Sequence, residues 1–233
     1  MFRDREEAGR ELGERLRPLA AKSPVVLAVP RGGVPIGLEI ARALAAPLDL
    51  VLVRKIGAPA QPELAVAAVA DGDNPQMIVN VDVARLLDID ETWLEMEKRQ
   101  KLAEIERRRR AYLAGRVRIP LAGRTVIVAD DGIATGATTR AVLQSVRAAG
   151  PREIILAIPV APPETVAALE SEADRIECLE QPSRFGAISM FYENFPQVGD
   201  DEVRRLLDEA ARLAGSRPPE SPGSGHGFTR NVE

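Results

Sequence analysis

The chain has one histidine and one cysteine in 233 residues, and aromatic residues make up 3% of it. A lone cysteine, Cys178, excludes an intramolecular disulfide framework and suits a reducing compartment. The single histidine, His226, lies in a C-terminal stretch dominated by Gly, Ser and Pro. Ser-His-Asp or Cys-His catalysis and a histidine-based zinc site are therefore disfavoured. No apolar run reaches the roughly 20 residues that a membrane helix needs. Residues Arg3, Asp4, Arg5, Glu6 and Glu7 lack the apolar region of a signal peptide, so a cytoplasmic, soluble protein with no membrane partner is expected. Basic excess is also missing: the formal net charge is −4, which argues against a dedicated nucleic-acid binder. Neither G-x-x-x-x-G-K-[ST] nor a G-x-G-x-x-G following a strand is found.

What is present is apolar material enough for a core, 45% of the residues, arranged with a clear alternation. Strand-like runs at Val25 to Val29, Leu48 to Val53, Val126 to Ala129 and Ile154 to Val160 are separated by helical patterns. This predicts an α/β fold with a Rossmann-like parallel sheet flanked by helices. Ligands in such sheets sit outside the carboxyl ends of the strands. A single domain over 1–213 is expected, with a long helix at 88–113, a small hood or lid at 178–200 and a disordered tail at 214–233. In the long helix, four successive arginines from Arg107 to Arg110 are interleaved with glutamates upstream, which reads as a solvated face rather than a nucleic-acid surface.

The most informative stretch is V-I-V-A-D-D-G-I-A-T-G-A-T-T-R, Val126 to Arg140. A buried-strand pattern ends in two adjacent carboxylates. Successive strand side chains point to opposite faces, so Asp130 and Asp131 converge on one ligand only where the strand ends, and Gly132 supplies the turn. Two neighbouring anions need compensation, from sugar hydroxyls or from a divalent cation, which makes both of them candidate metal ligands. The loop that follows is built of small and hydroxyl residues, so its backbone N–H groups can approach a ligand. A helix starting near Ala137 would add its positive end, which together makes a phosphate site.

This segment closely resembles the binding signature of the type I phosphoribosyltransferases, an acidic pair followed by a T-G-x-T loop. The resemblance implies that Asp130 and Asp131 hold ribose hydroxyls of phosphoribosyl pyrophosphate (PRPP). It implies also that Ala134, Thr135, Gly136, Ala137, Thr138 and Thr139 wrap the 5-phosphate, with Gly132 at the turn among the substrate-binding candidates and Mg²⁺ as cofactor. A second loop, in V-V-L-A-V-P-R-G-G-V-P-I-G from Val25 to Gly37, is similar to the family's pyrophosphate loop. Arg31, Gly32 and Gly33 would hold pyrophosphate there, with the Arg31–Gly32 peptide expected to be cis, although a plain glycine turn with a surface arginine fits the residues as well.

Downstream, Arg54 and Lys55 lead into I-G-A-P-A-Q-P-E, where Gly and two Pro residues argue against regular structure. A mobile loop is expected, and the resemblance implies that it closes over the reaction centre with its basic residues screening the leaving group. Four aromatic residues, Phe185, Phe191, Tyr192 and Phe195, gather in a short segment. They either stack on a flat base, which makes Tyr192 a candidate substrate contact, or anchor a lid. The candidate catalytic residues are then Asp130, Asp131, Arg31 and Lys55. By resemblance the activity is transfer of the phosphoribosyl group from PRPP to a nitrogenous base or amine, in a homo-oligomer. A PRPP-binding sensor without chemistry and a PRPP- or nucleotide-directed hydrolase remain open.

Overall fold

The structure, a computed structural model, describes residues 1–72, 75–113 and 116–215. The expected tail lies outside the described residues from 216 onward, and His226 with it.

Five parallel strands form the main sheet: β1 (Val25–Ala28), β2 (Leu48–Leu50), β6 (Thr125–Ala129), β7 (Glu153–Val160) and β8 (Arg175–Glu180), in the order β2-β1-β6-β7-β8. The central strands are buried on both faces, which is why they read as unbroken apolar runs rather than alternating ones. Alternation is still visible in where the side chains go. Val25, Leu27, Val126 and Val128 pack with Val142, Leu143 and Val146 of α5 (Ala137–Ala148). Their neighbours Val26 and Ile127 face Leu12 and Leu16 of α1 (Arg5–Leu16) and Ile36 and Ile40 of α2 (Gly33–Leu44). Short α6 (Pro163–Leu169) completes the α5 side.

Between β2 and β6 the chain makes a second unit. Strands β3 (Val53–Ala58), β4 (Gln61–Ala70) and β5 (Gln76–Val79) form an antiparallel sheet, followed by α3 (Val81–Leu86) and α4 (Glu91–Leu113). The stretch expected to be a mobile loop, 56–63, is thus a β-hairpin. Its prolines are accommodated because Pro59 lies in the turn and Pro62 in an irregular region between the pairs Ala58↔Gln61 and Gly57↔Ala65. Neither proline occupies a ladder position, so no strand hydrogen bond is lost. The long helix begins at Glu91 rather than Asp88, and α7 (Asp200–Gly215) packs its Val203, Leu206 and Leu207 into the same core as Ile105 and Leu113. Among the described residues no helix is long and apolar enough to cross a membrane.

One of the four arginines departs from the solvated reading. Arg109 is buried, with Nη2 3.0 Å from each Asp49 oxygen and Nη1 3.2 Å from Asp71 Oδ2. Asp71 also receives Arg118 at 3.0 Å and the Leu52 amide at 2.7 Å. Helical spacing places Arg109 on the face of Ile105, Tyr112 and Leu113, where two carboxylates at the sheet edge await it. The network joins α4 to the β2 edge and so fixes the second unit against the main sheet. Arg109→Met should leave buried charge unpaired and lower unfolding free energy by about 3–5 kcal/mol, read from the urea midpoint at constant slope.

Candidate functional site

Because β1 and β6 are neighbouring parallel strands with Ala28 opposite Ala129, the loops that leave their carboxyl ends face one crevice. The first loop runs from Val29 to the start of α2 and is tightened by hydrogen bonds from Gly33 N to Val29 O (3.0 Å) and from Val34 N to Arg31 O (3.1 Å). A cis peptide is present, but it links Pro30 to Arg31, one bond earlier than expected. The second loop runs from Asp130 to Gly136 and opens α5 at Ala137, so two helix N-termini border the crevice.

The loops touch. A Cβ on Gly32 would lie 1.9 Å from Asp131 Oδ2, and one on Gly33 would lie 2.5 Å from the Ala129 carbonyl oxygen. Glycine at both positions is what lets the two loops share one site. Gly136, at φ +75°, makes the turn into α5 that an L side chain rarely adopts. Thr165 of α6 donates to the Ala134 carbonyl at 2.7 Å and holds the loop from outside.

The acidic pair is asymmetric. Asp131 Oδ2 accepts from Arg5 Nε at 2.8 Å, with both side chains largely buried. Asp130 is half-buried and its Oδ1 accepts from the Asp131 amide at 2.9 Å. Burial first, and then the charge of Asp131, push the Asp130 carboxyl well above the ordinary carboxylate range.

Around this centre the other expected residues fall into groups. Arg31 Nη1 lies 3.5 Å from Asp200 Oδ1 at the start of α7, and Asp200 also accepts the Tyr112 hydroxyl at 2.7 Å. Lys55 opens onto a cleft of about 470 Å³ whose lining includes Thr135, Gly136, Ala137 and Thr138. Its strand neighbour Arg54 points the other way, toward Glu104 of α4 at 3.8 Å, so the pair does not act on one spot. Ala134, Thr135, Ala137 and Thr138 are all exposed along the loop, whereas Thr139 is buried.

Tyr192 lies on the inner side of the crevice. It is buried beneath the site, between the rings of Phe2 (5.6 Å) and Phe195 (4.8 Å), and its hydroxyl donates to the Asp131 carbonyl at 2.7 Å. An aromatic ring so enclosed presents no free face in this structure, and its hydroxyl supports the Asp131 carbonyl. Arg5 carries no sequence signal of its place: in R-E-E-A-G-R-E-L it looks like any charged residue of a helix start, and nothing local points to a carboxylate 126 positions away. Cys178 offers no nucleophile, since burial pushes its thiol up to about 11.

Replacing Asp130 by Asn should remove the repulsion between two adjacent carboxylates. The variant is expected to be about 1 kcal/mol more stable than the parent in urea unfolding.

A family model described as the phosphoribosyl transferase domain matches residues 6–193. Two Mycobacterium tuberculosis proteins, from strains CDC 1551 / Oshkosh and ATCC 25618 / H37Rv, carry provisional names as phosphoribosyl transferases. Each is 45% identical to this chain over 212 residues, covering 91% of it and 47% of their own length. The chain thus spans about half the length of these curated relatives. The crystal structure of TT1426 from Thermus thermophilus is 40% identical, with a TM-score of 0.78, and the match covers 90% of this chain and 98% of that one.

Proposed function

The chain belongs to the phosphoribosyl transferase family, and on that premise we propose that it binds PRPP across the carboxyl ends of β1 and β6. It transfers the 5-phosphoribosyl group to a nitrogenous acceptor and releases pyrophosphate. The observation that carries this reading is the apposition of the two glycine-bearing loops at one crevice, with the Gly32 Cα against the Asp131 carboxylate. A ligand with a sugar in the middle and anionic groups at both ends is what such a crevice suits. One end meets Arg31 and the start of α2, the other meets Thr135–Thr138 and the start of α5. Lys55 belongs to the 5-phosphate end in this reading, since it shares the cleft with Thr135–Thr138.

The residues present fit Mg²⁺ bound together with substrate. Asp130 and Asp131 sit side by side where β6 ends, the Asp131 amide on Asp130 Oδ1, and Mg²⁺ usually takes one or two carboxylates plus substrate oxygens rather than a protein cage. Among the described residues no cluster of three or more His, Cys, Asp or Glu forms such a cage. When bound, the ion would neutralise charge on the departing pyrophosphate. The protein's own part is positioning. Arg31 and the amides of the first loop hold the leaving group, Asp130 and Asp131 orient the ribose, and the loop before α5 fixes the 5-phosphate. The acceptor nitrogen then forms its bond to C1 as the C1–O bond breaks, with the electron pair leaving on pyrophosphate.

Pyrophosphate release from PRPP and Mg²⁺ tests this, run with and without a panel of purines, pyrimidines and small amines. Acceptor-dependent release is expected. Release that ignores the acceptor would instead indicate a hydrolase, and binding without release a sensor. Arg31→Ala should weaken pyrophosphate binding by about 10- to 100-fold, the loss of one charge-assisted hydrogen bond, and ribose 5-phosphate binding much less. Equal loss for both ligands in calorimetry would refute the placement of Arg31.

A further inference from the structure

We infer that Asp200, at the start of α7, is a positioning residue for Arg31: its carboxylate holds the guanidinium beside the first crevice loop while the crevice is empty, and an incoming pyrophosphate group takes Arg31 from it. The inference rests on the PRPP-site reading above.

Asp200 is held in place by groups other than Arg31. Its Oδ1 accepts the Tyr112 hydroxyl at 2.7 Å and lies 3.5 Å from Arg31 Nη1. The Tyr112 ring is buried near the end of α4, in the core that also takes Val203, Leu206 and Leu207 of α7, so its hydroxyl stays where the packing puts it. The carboxylate also stands at the N-terminus of α7, where negative charge is favoured. Asp200 is therefore satisfied when Arg31 leaves. Arg31 is placed differently: its side chain is 35% exposed, and its contact with Asp200 at 3.5 Å is longer than a good charge-assisted hydrogen bond.

Two anions thus compete for one guanidinium. Pyrophosphate brings several charges and a choice of acceptor oxygens for the guanidinium fork, whereas the Asp200 oxygen nearest Arg31 is already engaged by Tyr112. Exchange favours the ligand, and pyrophosphate affinity is lowered by what the internal pair is worth. For an ion pair this open to water that is about two- to fivefold in an equilibrium constant. Asp200 takes Arg31 back as pyrophosphate departs, so its loss should tighten the bound product. A side chain that only supported the fold would act in the opposite sense, its loss weakening binding.

Calorimetry of the full chain with pyrophosphate and Mg²⁺ tests this on Asp200→Asn, which keeps an oxygen for the Tyr112 hydroxyl, on Arg31→Ala and on the double variant, with ribose 5-phosphate as a second ligand. Asp200→Asn is expected to lower the Kd for pyrophosphate about two- to fivefold and to leave that for ribose 5-phosphate unchanged. In the Arg31→Ala background the same exchange should change neither Kd, because the gain passes through the guanidinium. Asp201→Asn removes an equal charge one residue on, from a carboxylate that pairs with Arg204, and should leave pyrophosphate affinity as in the parent. An unchanged or raised Kd in Asp200→Asn, an equal gain without Arg31, or an equal gain from Asp201→Asn would overturn the inference. Where the parent binds pyrophosphate, those results leave the PRPP reading standing; a parent that binds neither pyrophosphate nor PRPP overturns that reading and the inference together.

Discussion

The parallel pairing of β1 with β6 is the constraint on which the site depends. Register puts Ala28 beside Ala129, so the two following loops emerge side by side. Everything in the crevice then has to fit within a few ångströms of a strand spacing. The lack of a side chain at Gly32 and Gly33 is the direct consequence, since either Cβ would overlap the acidic loop. The two helices that follow, α2 and α5, lie on opposite faces of the sheet, packed by alternate residues of the same strands. Their N-termini reach the crevice from both sides only because the strands between them are central and fully buried.

Much of this is legible in the sequence because it is local. A buried strand of four or five residues, a pair of carboxylates and a small-residue loop are contiguous, and the start of α5 at Ala137 follows from the same run. The hairpin at 53–70 is not legible, because its prolines argue against strand and only the register shows that they miss the ladder. Arg109 and Arg5 escape a sequence reading for a related reason. Each is an arginine in a charged helix whose partner carboxylate lies 60 or 126 positions away. No window of periodicity contains such a pairing, and the same residue types in solvent would look identical.

The aromatic cluster is legible too, but its direction is not encoded locally. Phe2 comes from the far end of the chain to close over Tyr192, and its amide and carbonyl bond to Phe191 and Glu193. That contact turns the ring inward. Stacking on a base and supporting a carbonyl use the same residue type at the same spacing, and only the packing of the chain's first residues separates them.

The distribution of charge gives the site its character. Asp131 is balanced within the protein by Arg5, and Arg31 lies beside Asp200 at the start of α7, on whose carboxylate the Tyr112 hydroxyl also converges. Asp130 stands apart, desolvated next to a second anion, with its carboxyl pushed up. Two carboxylates at the end of one strand, with an ion pair among the described residues for Asp131 alone, leave negative charge that a bound cation or hydroxyl donor would offset. Relief on binding adds to the affinity of whatever supplies it, because the cost was already present in the empty crevice.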